Sequence, residues 1–192
     1  LIQSLYNIVD SIYVSRLGTD ALTAVSLAYP LQNAIVSVGV GIGVGISSAI
    51  SIHLGSGDQE KADRAATLGV VLTFFHCLLF VLAGLFITRP FLSLFTNDPA
   101  ILKDACDYTY IVLCLSFGAL LQLAFEKIFQ SIGKMKITMY LLIVGCVINI
   151  ILDPVLIFGL LGFPAMGVAG AAIATVIGQI SAFLLYIVVY VR

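Results

Sequence analysis

The sequence predicts an all-α, polytopic membrane helical bundle, and three observations predict it. Hydrophobic residues make up 61% of the 192 residues and charged residues only 10%. Soluble domains carry about 25% charged and 45–50% apolar residues. With a mean hydropathy of +1.15, this chain has too little polar surface to face water on all sides, so lipid must be its solvent. The apolar residues also fall into long runs separated by short polar joints. A helix needs about 20 mainly apolar residues to cross roughly 30 Å of hydrocarbon, and these runs match that length.

Taken in order, the runs predict one partial and five full spans within a single transmembrane domain, 1–192: about 1–15, 24–54, 65–88, 108–129, 137–161 and 168–191. The second is longer than a bilayer requires, so it tilts or projects. The joints are Arg16–Asp20 with Gly18, the charged stretch Gly55–Arg64, Arg89–Asp107 with Pro90 and the Thr96-Asn97-Asp98-Pro99 helix start, the basic turn Ser131–Lys136, and the nearly uncharged Gly159–Gly167 with Pro164. Lys61, Arg64, Lys127, Lys134, Lys136 and Arg192 fall on one side, against Arg16, Arg89 and Lys103 on the other. The positive-inside rule then puts the first group, and the N-terminus, in the cytoplasm. The chain begins at Leu1 and ends at Arg192 within or beside apolar runs, so it reads as part of a longer protein.

Other residue classes exclude functions. A net charge of −1 offers no broad basic face, which excludes nucleic acid as a partner. Cys77, Cys106, Cys114 and Cys146 form no CxxC or Cys/His cluster and read as apolar packing, as do His53 and His76. Gly39, Gly41, Gly43 and Gly45 give two overlapping GxxxG spacings, 39/43 and 41/45. The run lacks the GxxxxGK of a phosphate loop, so Gly39 and Gly43 mark close helix packing or a flexible gate. The sixth span repeats the theme at Gly167, Gly170, Ala171, Ala174 and Gly178.

The candidate functional residues are acids inside the apolar runs, where charge is costly and therefore functional by default. Asp10 has Tyr6 four residues before it, and Asp153 has Asn149 four before it. That spacing puts each pair on one helix face, about 6 Å apart along the axis. Asp10, Asp153 and Thr175 lie at similar depth, roughly 9–12 Å from the outer ends of their spans. Pro154 follows Asp153; it removes a backbone donor and frees the Ile150 carbonyl at a helix kink. These oxygens are hard ligands suited to sodium or to a proton relay. Two carboxylates brought together also repel, so one of them can hold a proton near neutral pH. Glu126, near the inner end of its span beside Lys127, is a weaker candidate because it can reach the interface. The alternative is a polar network that only fixes packing. Against it stand two acids with no membrane-embedded Lys or Arg to neutralise them.

At these motifs the sequence resembles the multidrug and toxic compound extrusion family, MATE, and its prokaryotic DinF-like branch in particular. The matching stretches are YNIVDSIYVSRLGTDALTAVSLAYP, GSGDQEKADRA, QSIGKMKITM and NIILDPVLIFG. The turn before the fifth span departs from the family at Ser131 and Met135. The resemblance implies the six-helix N-terminal lobe of a two-lobed transporter, with the first helix truncated and the C-terminal lobe missing. It further implies a cation site on Asp10 and Asp153, with Tyr6, Asn149 and Thr175 around it.

The expected function follows from these residues and that resemblance. It is antiport: H⁺ or Na⁺ enters as an organic cation or drug leaves across the cytoplasmic membrane. The coupling ion is the only cofactor expected, membrane lipid and the drug are the partners, and no enzyme activity is expected. The rivals are a lipid-linked oligosaccharide flippase, which should carry arginine or lysine mid-span, and a non-transporting structural membrane subunit. An intramembrane aspartyl protease is disfavoured because Asp153 lies between leucine and proline, with no GxGD motif.

Overall fold

A computed structural model describes residues 2–191, with side chains from residue 8 onward; Leu1, Arg192 and the Tyr6 side chain lie outside the described residues. Seven α-helices account for nearly all of it: α1 (Ile2–Ser15), α2 (Thr19–Gly55), α3 (Gln59–Leu92), α4 (Pro99–Cys114), α5 (Phe117–Ser131), α6 (Met135–Phe158) and α7 (Gly167–Val191). By length and composition, α2, α3, α6 and α7 can each cross a membrane, and α4 with α5 forms a fifth span bent by 44°. The first helix, at 14 residues, is shorter than a membrane crossing requires.

Helix starts follow from local chemistry. Asp58 caps α3 by accepting from the Lys61 amide at 3.1 Å, and the Lys61 ammonium sits 2.7 Å from its other oxygen. Those contacts hold this exposed carboxyl below the ordinary aspartate range. Asp98 caps α4, accepting from the amides of Ala100 and Ile101 at 2.8 and 3.2 Å, and Pro99 occupies the first turn, where its missing donor costs nothing. The span expected at 108–129 therefore begins earlier. Lys103, Asp104 and Asp107 sit on the first turns of α4 and are not loop residues. That span also breaks between Cys114 and Phe117, where Ser116 and Gly118 supply the small, weakly helix-forming pair at which sharp bends occur. By contrast α6 runs unbroken through Pro154, and the α6–α7 joint is a 3₁₀ turn, Leu160–Gly162.

Glycine decides how closely the helices approach. A methyl group on Gly170 would lie 2.6 Å from the Leu156 carbonyl oxygen, and one on Gly178 would lie 2.8 Å from the Gly145 carbonyl oxygen. Both obstacles are backbone, so α7 lies directly against the main chain of α6. Gly39 and Gly43 also mark packing: α5 presses Leu120, Leu123 and the Lys127 stem onto them. Gly41 and Gly45 face open space, so of the two overlapping GxxxG spacings one packs and the other does not.

The bundle has two kinds of outer surface. The exposed residues of α3 include Leu68, Val71, Phe74, Phe75, Leu82 and Phe86, a face suited to lipid tails. The exposed stripe of α2 carries Thr23, Ser26, Asn33, Ser37, Ser48 and Ser51 at helical spacing. Thr23 and Ser26 donate back to the Thr19 and Leu22 carbonyls at 2.8 Å, and Val40 and Val44 are exposed on the same helix, so this face is more polar than that of α3 without being wholly polar. A shallow groove of about 410 Å³, lined by Ile8, Ser11, Ile12, Ser15 and Leu22, lies between α1 and α2.

Gly170→Ala should lower the thermal stability of the full-length protein in detergent by about 1–3 kcal/mol, the usual cost of overpacking. Gly41→Ala, which meets nothing within 4 Å, should leave the melting temperature unchanged or slightly raised. Equal effects at the two positions would contradict the packing described.

Candidate acid site

The site begins with the α6–α7 contact. Because Gly178 admits the Gly145 carbonyl and the Asn149 Cβ, the two helices run close enough for side chains a turn away to meet. Asn149 Nδ2 lies 3.4 Å from Thr175 Oγ1, to which it donates. Four residues along α6, Asp153 Oδ1 accepts from the same amide nitrogen at 3.3 Å. The short helix α1 completes the group: Thr175 Oγ1 donates to Asp10 Oδ2 at 2.9 Å. Asp10 and Asp153 are thus joined through Thr175 and Asn149.

Three helices distant in sequence thus converge on one cluster, and the cluster is dry. Asn149 and Asp153 are 0% exposed, Thr175 4% and Asp10 5%. Among the described residues, the acids in ion pairs are Asp58, Glu60 and Glu126; neither Asp10 nor Asp153 has a cationic partner. With both carboxylates ionised, Asp10 Oδ1, Asp153 Oδ2 and Asn149 Oδ1 are buried acceptors without a donor. Such groups cost several times what a satisfied hydrogen bond contributes. Carboxylate, amide and hydroxyl oxygens are the donor set of a hard cation, and the same carboxylates can instead share a proton.

Of the residues singled out in the sequence, Asp10, Asn149, Asp153 and Thr175 come together. Tyr6 lies outside the described side chains. Pro154 sits beside Asp153 within the continuous α6, and Gly39 and Gly43 lie at the α2–α5 contact, away from the cluster. Glu126 belongs to a separate half-buried network: Gln130 Nε2 donates to it at 2.9 Å, and Lys127 Nζ donates to Gln130 Oε1 at 2.9 Å. Two polar contacts between helices were missed in the sequence. In one, Tyr186 Oη donates to the Thr138 carbonyl oxygen at 3.4 Å, joining α7 to α6. In the other, Tyr108 Oη donates to Gln32 Oε1 at 3.4 Å, joining α4 to α2. A tyrosine and a glutamine within apolar runs were the only signal for it.

The described residues form a multi-helix bundle with apolar, membrane-length spans and a buried, oxygen-lined acid pair, and comparison with known proteins gives its family. The MatE family pattern matches residues 1–155, and the chain belongs to the MatE family. It is 37% identical over 195 residues to the probable multidrug resistance protein YoeA of Bacillus subtilis, covering 100% of this chain and 42% of that protein. It is 31% identical to a protein of Shewanella oneidensis named FAD transporter, covering 88% of this chain and 38% of the relative. Among solved structures, an inward-facing MATE family multidrug resistance transporter superposes with a TM-score of 0.89 at 31% identity, covering 99% of this chain and 42% of that one. A transporter of the same superfamily from Pyrococcus furiosus gives a TM-score of 0.89 at 30% identity, over 96% of this chain and 40% of that one. The chain thus spans about two fifths of the length of these relatives.

Thr175→Val keeps the side-chain shape but removes the hydroxyl shared by Asp10 and Asn149. It should cost about 1–3 kcal/mol, the penalty for unsatisfied buried polar groups, read as a drop in melting temperature of the full-length protein. Thr175→Ser, which keeps the hydroxyl, should recover most of the loss.

Proposed function

We propose that this chain is the N-terminal lobe of a cation-coupled antiporter that exports organic cations or drugs across the cytoplasmic membrane, with its N-terminus in the cytoplasm. The observation that carries the reading is the buried acid pair with no Lys or Arg paired to it. Two uncompensated carboxylates in a dry site are costly unless a proton or metal cation resides there for part of a cycle. Thr175 and Asn149 supply neutral oxygens and a donor, so the cluster can accommodate either the loaded or the unloaded pair.

The position of the cluster supports entry from outside. Asp10 is five residues from the α1 terminus at Ser15, Asp153 five from the α6 terminus at Phe158, and Thr175 eight from the α7 start at Gly167. These are distances of about 8–12 Å from the outer ends at 1.5 Å per residue. Loading neutralises the pair and favours one arrangement of α1, α6 and α7. Unloading favours another. Export follows when the organic substrate binds the second arrangement better than the first, because coupling requires that the two ligands prefer different states. The hydroxyl- and amide-bearing stripe of α2 suits the wall of a water-filled cleft toward a second lobe. The names multidrug resistance protein and multidrug export protein among the relatives support a drug-like cargo. The relative named FAD transporter supports a flavin nucleotide as the second reading of the cargo, with the coupling site unchanged.

In vesicles containing the full-length protein, ethidium export should respond to an imposed pH gradient or to an imposed Na⁺ gradient. Asp10→Asn and Asp153→Asn should each reduce gradient-driven export to the level of empty vesicles. Export by either variant with unaltered dependence on both gradients would refute the coupling site. Flavin nucleotide export without ethidium export would select the second cargo.

A further inference from the structure

We propose that the joint between α6 and α7, residues 159–167, is a membrane anchor that seats Leu160, Leu161 and Phe163 in the headgroup–acyl boundary of the lipid bilayer. The seat is independent of the acid site. It follows from three properties of the joint: its backbone, its lack of charge, and the length of the helices it connects.

The joint is tied down by its own backbone. The Met166 amide donates to the Leu156 carbonyl at 2.9 Å, and the Phe163 amide to the Leu160 carbonyl at 3.2 Å. Gly159 turns the chain at φ 72°, where a Cβ would stand 2.6 Å from the Ala165 amide nitrogen. Leu161 holds φ 58° and is the one non-glycine residue with positive φ among the described residues. That conformation is strained for a residue with a Cβ, and turns in water relieve it with glycine, asparagine or aspartate. Here a leucine occupies it and is 87% exposed. Leu160, Phe163 and Met166 are exposed beside it. Backbone strain that displays apolar side chains is offset only where those side chains leave water.

Charge and length identify the medium that receives them. No acid, lysine, arginine or histidine lies between Asp153 and Arg192, whereas the joints at 16–20, 55–64, 89–107 and 131–136 all carry charge. Lys136 lies at the opposite end of α6, and Arg192 follows the opposite end of α7. From Lys136 to Phe158 the helix extends about 33 Å, and from Gly167 to Val191 about 36 Å, at 1.5 Å per residue. With ordinary tilt, both lengths match roughly 30 Å of hydrocarbon. With the basic residues at one headgroup layer, the joint therefore falls at the other. The apolar face of α6 leads to it: Met139, Ile143, Val147 and Ile151 are exposed at four-residue spacing, a stripe suited to lipid tails. Leucine and phenylalanine beyond the end of that stripe continue the lipid contact into the boundary layer. Once seated, the joint holds the adjoining ends of α6 and α7 at one depth, and these are the helix ends nearest Asp153 and Thr175.

Tryptophan is absent from this chain, so one added tryptophan, read as the difference from the parent, reports the surroundings of the joint. Leu161→Trp and Phe163→Trp are made separately in the full-length protein and reconstituted in phosphatidylcholine vesicles. Both side chains are exposed, so neither substitution disturbs packing, and either variant alone reads the joint. The added emission should fall about twofold or more with lipid brominated high on the acyl chain, as expected of tryptophan held at the membrane–water boundary. Iodide in the buffer should have the smaller effect. Ser56→Trp, on the charged joint at 55–64, should show the reverse order. Stronger quenching by iodide than by brominated lipid at 161 and 163 overturns the anchor, because the joint then stands in water. Quenching by neither also overturns it, because protein then covers the joint, whether a second lobe or a second copy of this chain. Equal quenching by brominated lipid at position 56 overturns it as well, because every joint would then meet lipid alike.

Discussion

The cost of burying two carboxylates is the constraint on which this lobe depends. Asp10 and Asp153 sit in a region where neither water nor a basic side chain reaches them, and isolated charges in such surroundings are prohibitively expensive. The structure meets that cost with geometry. Thr175 and Asn149 are placed to donate, and they can be placed there only because α6 and α7 touch backbone to backbone. Gly170 and Gly178 are thus as much a part of the acid cluster as the residues that carry oxygen. The balance remains incomplete, because three buried acceptors of the cluster have no donor when both acids are charged.

The same physics sorts the outer surface. In lipid there is little hydrophobic drive for helices to associate, so close packing and polar contacts hold the bundle together. The leucine- and phenylalanine-rich face of α3 needs nothing beyond acyl chains. The serine, threonine and asparagine stripe of α2 is more polar, and it lies across α2 from the core-facing residues Ala21, Ala28 and Ile35.

Much of this was legible in the residues. Apolar run length located the helices, because crossing hydrocarbon imposes a minimum that few soluble helices share. The isolation of Asp10 and Asp153 within such runs identified both acids, and depth counted at 1.5 Å per residue brought Thr175 into the group. What failed to show has physical reasons. The start of α4 was hidden by Lys103, Asp104 and Asp107, because a charged first turn at the interface resembles a loop. The break near Ser116 carries no proline, so run length passed straight across it. Which of the overlapping glycine spacings packs depends on the rotation of α2 against α5, a tertiary fact. The Tyr108–Gln32 contact joins residues 76 positions apart, and no local period announces such a pair.

The length of α2 has a mechanical consequence. Its 37 residues extend about 55 Å at 1.5 Å per residue, against roughly 30 Å of hydrocarbon. Even at a tilt of about 40°, the upper end of the usual range, only some 39 Å of the helix fits within the apolar slab. About 16 Å must therefore stand in the headgroup zones or the aqueous phase. The helix, which carries Pro30 within it, protrudes from the slab and behaves as a lever. A rotation of a few degrees about the bilayer centre sweeps its protruding end through ångströms, whereas residues near the pivot scarcely travel. Small rotations of the helix are thereby magnified toward its ends, where the loops joining α2 to α1 and α3 lie.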